Sequence, residues 1–138
     1  MRLAGLYQHL IYQNVTMARD TVDFARLLPL SPAVFHILLA LADEDRHGYA
    51  IMRDIDERTD GVIRVGPGML YGSVKWLLAD GFIEQTVPRS RSGADDRRRV
   101  YRLTTAGRAL LRAEAARLEA AVGLARSRRV LTRKGATS

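Results

Sequence analysis

Apolar residues recur along this chain in blocks, and the period of recurrence changes from helical to strand-like and back again. The opening residues are helix-prone: Leu3, Leu6, Tyr7, Leu10 and Ile11 share one face, and Val22, Phe24, Leu27 and Leu28 form a second apolar segment. Residues 1–29 are therefore read as an N-terminal helical extension, with Met17 as an alternative start. Ser31 followed by Pro32 has the form of an N-cap with proline at the first helical position, and VFHILLALA then runs almost without a polar break, the pattern of a buried helix. His36 lies inside this run and reads as a core or interface histidine, since no second ligand stands one turn away. After a polar turn at Asp43–Arg46, HGYAIMRDIDERTDG places Tyr49, Ile51, Met52 and Ile55 on one face of a second helix, with Gly61 as its stop. Val62–Val65 is β-branched and short, the edge of a small sheet.

The stretch GPGMLYGSVKWLLADG, Gly66 to Gly81, carries Leu70, Val74, Leu77 and Leu78 at one-face spacing, with Pro67 in its first turn and Gly81 just past its end. It predicts a helix of about four turns. Its other face offers Gly68, Met69, Tyr71, Gly72, Ser73 and Lys75, with no carboxylate before Asp80. A face of small, hydroxyl-bearing and cationic residues can approach a polyanion. FIEQTVP and RRVYRLT then alternate with period two, and the arginine-rich loop between them makes a hairpin with a basic tip. From Thr104, a plausible N-cap, alanine, leucine, arginine and glutamate dominate one long helix. Leu111, Ala115, Leu118, Val122 and Ala125 follow one another at intervals of four and three along it, a seam that wants a partner. Two partners satisfy the seam: a second copy of the chain, or the chain's own N-terminal helix.

Composition narrows the chemistry. A chain of 138 residues with 47% apolar content can bury one modest core. It has no cysteine, so disulfides, thiolate nucleophiles and cysteine-bound zinc are excluded, and His9, His36 and His47 have no ligand spacing. The expectation is no metal, no cofactor and no enzymatic activity: paired carboxylates in a cleft and phosphate-binding glycine loops are also missing. No apolar run reaches the roughly 18 residues of a membrane span, and Gln8 and His9 interrupt the start where a signal peptide needs apolar continuity. A cytoplasmic protein without a membrane partner is expected.

The net charge of +7 is concentrated in two places. Residues 89–102 carry net +4 and residues 126–134 net +5, leaving −2 for the rest. Local charge of this kind favours a nucleic acid or another polyanionic surface as partner over a general solubility effect.

The order of these elements, three helices, a basic hairpin and a long helix, predicts a mainly α fold with a small β-hairpin. It is a winged helix-turn-helix over residues 30–103, followed by a dimerisation helix over 104–130 and a basic tail over 131–138. In such a domain the third helix enters the major groove and the hairpin reaches phosphates. The segments LSPAVFHILLALADEDRHGYAIMRDIDERT, GPGMLYGSVKWLLADGFIEQ and DDRRRVYRLTTAGRALL resemble the PadR family of transcriptional regulators over residues 30 to 125. The most specific pieces are His47-Gly48-Tyr49, Gly66-Pro67-Gly68 with Leu70-Tyr71, Asp80-Gly81-Phe82-Ile83, and Arg98 to Gly107. The single C-terminal helix resembles the smaller subfamily, which implies a homodimeric repressor of a palindromic double-stranded DNA operator, released by a small-molecule effector or another signal. The chain departs from the family pattern at Met69, commonly threonine, and at Gly72, commonly a larger and often basic residue.

The expected DNA-binding residues are Tyr49, Gly68, Met69, Tyr71, Ser73, Lys75, Arg89, Arg91, Arg97, Arg98 and Arg99; the expected dimer interface is Leu111, Ala115, Leu118, Val122 and Ala125. Each has a second reading. Tyr71 is also a candidate half-buried core residue, Lys75 an ordinary solvated charge, and Arg97–Arg99 partners for Asp95 and Asp96. Trp76 reads as packed against the hairpin or the N-terminal helix in preference to a ligand platform. The rival function is a basic helical adaptor that pairs with a protein and binds nucleic acid loosely.

Overall fold

The computed structural model describes residues 21–86 and 99–132. Residues 1–20, the hairpin tip with Arg89, Arg91, Arg97 and Arg98, and the tail from residue 133 lie outside that set. Five helices and three strands are described: α1 Thr21–Leu27, α2 Pro32–Ala40, β1 Arg46–His47, α3 Gly48–Arg58, α4 Pro67–Ala79, β2 Ile83–Thr86, β3 Val100–Leu103 and α5 Thr105–Ser127. The chain forms two compact units, Pro29–Leu111 and Met1–Leu28 with Arg112–Ser138.

Within the first unit, local sequence sets the helix ends. Ser31 is extended and its side chain accepts a hydrogen bond from the Val34 N–H at 3.2 Å, with Pro32 opening α2. Helix α2 is buried through Val34, Ile37, Leu38 and Ala40, which packs it into the core. Helix α3 stops where Asp60 and Gly61 take φ of 51° and 76°, and the Gly61 N–H donates to the Asp56 carbonyl. At the end of α4, Gly81 has φ of 77°, its N–H donates to the Leu78 carbonyl and the Phe82 N–H donates to that of Leu77. This double closure turns the chain sharply into β2.

Val62–Val65 corrects a sequence expectation. It is not a strand, because the Thr59 hydroxyl holds this loop to the end of α3, accepting from the Ile63 N–H and donating to the Ile55 carbonyl. The third strand of the sheet is instead Arg46–His47, of which the sequence reading put Arg46 in a polar turn and His47 at the start of the second helix. The sheet order is β1-β3-β2, all antiparallel, with Arg46 opposite Tyr101 and Glu84 opposite Arg102. Arg46 holds this joint: its Nε donates to the Ala40 carbonyl at 2.7 Å, and the guanidinium lies 3.0 Å from Glu44, 3.5 Å from Asp43 and 3.6 Å from Asp54. The mostly buried cation is thus surrounded by three carboxylates, the condition under which a buried charge is tolerated.

The start of α5 is anchored to the end of α4. Thr104 Oγ1 accepts from the Gly107 N–H at 3.0 Å as an N-cap and donates to the Gly81 carbonyl at 2.6 Å, while the Thr104 N–H donates to the Phe82 carbonyl. Phe82 also meets Trp76 edge to face, ring centres 6.2 Å apart. Trp76 is therefore packed at the entrance to the hairpin.

Candidate nucleic-acid interface

Helix α4 buries Leu70, Val74 and Leu77, so the 3.6-residue period turns the other side outward. Gly68, Met69, Tyr71, Gly72 and Lys75 are exposed there, and the first turn has no acidic side chain. Gly68 and Gly72 have open space where a side chain would stand. Ser73 is a correction: it is buried, because it follows Leu70 by three residues and precedes Leu77 by four, which turns it to their side of the helix, and it does not belong to the outer face. Tyr49, on the first turn of α3, is 65% exposed, and that turn too lacks a carboxylate.

Tyr71 links these parts. Its side chain is half exposed, yet a Cβ built on Gly48 would lie 2.7 Å from the Tyr71 hydroxyl and 3.1 Å from Leu70. The phenol therefore rests on the first residue of α3, in room that only glycine leaves. Tyr101 on β3 lies within electrostatic range of both Tyr71 and Arg99. Burial pushes the Tyr101 phenol above its ordinary value of 10.0, Tyr71 adds to the rise, and the Arg99 cation opposes it. Tyr101 is consequently neutral at physiological pH. Helix α3, helix α4 and the wing strand meet around Tyr71, whose tip braces against Gly48 while the side chain stays half exposed.

Gly48 was not singled out for this role by sequence reasoning. The available signal was a glycine at the first position of a helix, where a larger residue is ordinary. Arg102 is bound across the sheet by Glu84, with Nε and Nη2 at 2.9 and 2.6 Å, so this wing arginine is engaged within the hairpin. Arg99 is exposed at the foot of β3, the one wing arginine of the expected set that falls among the described residues.

Along α5, Leu118 and Val122 are each 37% exposed, Ala115 is exposed and Ala125 is half-buried. Leu111 corrects the expected seam. It is buried within the single chain, at the last residue of the first unit. Glu114 is buried as well, and both its oxygens take hydrogen bonds from Arg117, one turn further on. Among the described residues no three histidines, cysteines or carboxylates group as a metal site, and no helix is long and apolar enough to cross a membrane.

The transcriptional regulator PadR-like family matches residues 37–113. Transcriptional regulator Rv3488 of Mycobacterium tuberculosis is 40% identical over 86 residues, which are 61% of this chain and 73% of that protein. An uncharacterised 37.1 kDa protein in transposon TN4556 of Streptomyces fradiae is 42% identical over 79 residues, 57% of this chain; the match spans 21% of that protein's length. The crystal structure of a PadR family transcription regulator from Clostridium difficile superposes with a TM-score of 0.60 at 21% identity, covering 70% of this chain and 97% of that one.

Proposed function

This chain belongs to the transcriptional regulator PadR-like family, whose members are regulators and not enzymes, and from that premise we propose that it is a homodimeric repressor that binds a palindromic DNA operator. The observation that carries this reading is the outer face of α4, free of carboxylates and braced on α3 through Tyr71. Tyr49, Gly68, Met69, Tyr71 and Lys75 would line the groove, and Arg99 together with Arg89, Arg91, Arg97 and Arg98 would reach phosphates. Because Gly68 and Gly72 present bare backbone, the helix supplies few side chains to the bases, and the wing supplies more of the affinity. Occupancy of the operator blocks transcription sterically. A small molecule or other signal acting on the dimer releases DNA by changing the separation of its two recognition helices.

Footprinting on genomic DNA tests the proposal, with a protected palindrome expected. Affinity for that site should fall steeply with salt, with a logarithmic slope of about −0.9 per phosphate neutralised. An adaptor that pairs only with protein would leave no footprint, and binding indifferent to salt would count against the wing as the source of affinity. The brace gives a sharper test. In Gly48→Ala the new methyl displaces the Tyr71 side chain, which can swing outward, so the fold survives while operator affinity drops about tenfold, the scale of one specific base interaction. Tyr71→Ala should lose about as much, and the double substitution no more than either single one. Additive losses would show that the two residues act separately.

A further inference from the structure

The net +5 segment that begins at the end of α5 is not used by the reading above. Its described part, Arg126 to Thr132, is exposed throughout. The helix is already closed by backbone and hydroxyl groups. The Val130 N–H donates to the Ala125 carbonyl at 2.9 Å, the Arg129 N–H to that of Arg126 at 3.0 Å, and Ser127 Oγ to that of Leu124 at 2.7 Å. These are the bonds of a helix end that turns through a left-handed residue, a position that favours glycine. Here it is Arg129, with φ of 62°.

Three facts follow for the arginines. They are not needed to cap the helix, because the Leu124, Ala125 and Arg126 carbonyls are already taken. A single cation in the last turn would complement the helix dipole, and Arg126 alone supplies it. Finally, Arg53, Arg58, Arg102 and Arg117 each hold a carboxylate, whereas no ion pair involves Arg126, Arg128 or Arg129 among the described residues. Three solvated guanidinium groups within four residues, one at a left-handed position that favours glycine, make a cationic surface of the kind that pairs with phosphate oxygens.

We propose that Arg126, Arg128 and Arg129 form a second contact for the phosphate backbone of duplex DNA, in a different compact unit from the wing. The inference rests on the DNA-binding reading above. Phosphate contacts carry no sequence information, so this surface adds affinity to any duplex and leaves discrimination to the groove-facing helix.

The test measures affinity against salt for the full chain, on the mapped operator and on a random duplex of equal length. The triple variant R126Q/R128Q/R129Q should show a slope shallower by about 0.9 for each phosphate no longer neutralised, on both duplexes, with the ratio between them retained. Arg129→Gly separates this role from a structural one. Glycine relieves the left-handed position, so its melting temperature should stay level or rise while the slope still falls by about 0.9. Slopes equal to wild type in the triple variant, with wild-type DNA binding intact, overturn the inference alone; wild-type protein that binds neither duplex overturns the DNA-binding reading as well. Val130 and Leu131 are exposed beside the arginines, so phosphatidylserine vesicles form a third arm. Vesicle binding that the triple variant loses, with an unchanged DNA slope, would assign the surface to lipid and overturn the proposal.

Discussion

Gly107→Ala is expected to cost about 3 kcal/mol or more of folding stability, a large fraction of the roughly 5–15 kcal/mol that holds an ordinary domain together. A Cβ at this position would collide with the Phe82 carbonyl oxygen and stand 2.9 Å from the Phe82 carbonyl carbon and 2.8 Å from Leu103. Two of these atoms are backbone, so no rotamer change relieves the collision. Moving the peptide is costly too: the same Phe82 oxygen accepts from the Thr104 N–H, and Thr104 Oγ1 is bound to the neighbouring Gly81 carbonyl. The start of α5 and the end of α4 would have to separate together. Urea denaturation followed by circular dichroism reads the loss, and a change under about 1 kcal/mol would contradict the close approach. Gly72→Ala is the control. It lies mid-helix with open space around it, and should stabilise by about 0.5–1 kcal/mol, the ordinary gain from replacing a helical glycine.

Leu118→Asp should abolish the proposed dimer and lower operator affinity on the order of 100-fold or more, because binding the second half-site is no longer intramolecular. The substitution places a carboxylate in the middle of the seam of Ala115, Leu118, Val122 and Ala125. Leu118 is more than a third exposed in the single chain, so the fold should tolerate the change, and unaltered far-ultraviolet dichroism would verify this. Light scattering should find a dimer for wild type and a monomer for the variant, and Val122→Asp should behave alike. A wild-type monomer, or a variant that remains dimeric, would remove the seam from the proposal. Leu111→Asp would not test it, since Leu111 is buried within the single chain and the change would act on folding.

Most element boundaries were legible because they depend on nearest neighbours. Ser31 with Pro32, Gly61, Gly81 and Thr104 act through bonds closed within a few residues, and each marks the expected end. The outer face of α4 was legible for the same reason, since helical periodicity places Leu70, Val74 and Leu77 together. Ser73 and Leu111 were misplaced at the margins of their helical faces. Whether a residue at the edge of a helical face is covered depends on how wide the neighbouring elements are. The strand was misplaced because β-branching in Val62–Val65 is a local preference, while pairing is a distant event: Arg46 and His47 meet Tyr101 and Val100 across more than fifty residues of chain.

The family, the order of the helices and of the two hairpin strands, and the location of basic charge were determined by the sequence alone, through periodicity, capping chemistry and shared motifs. Close approach was decided only by the tertiary structure. That Gly48 makes room for the tip of Tyr71, that Gly107 lies against the Phe82 carbonyl, and that Arg129 takes a left-handed helix end are relations in space. A glycine or arginine in a string carries a range of uses, and only the atoms brought beside it by the rest of the fold select one.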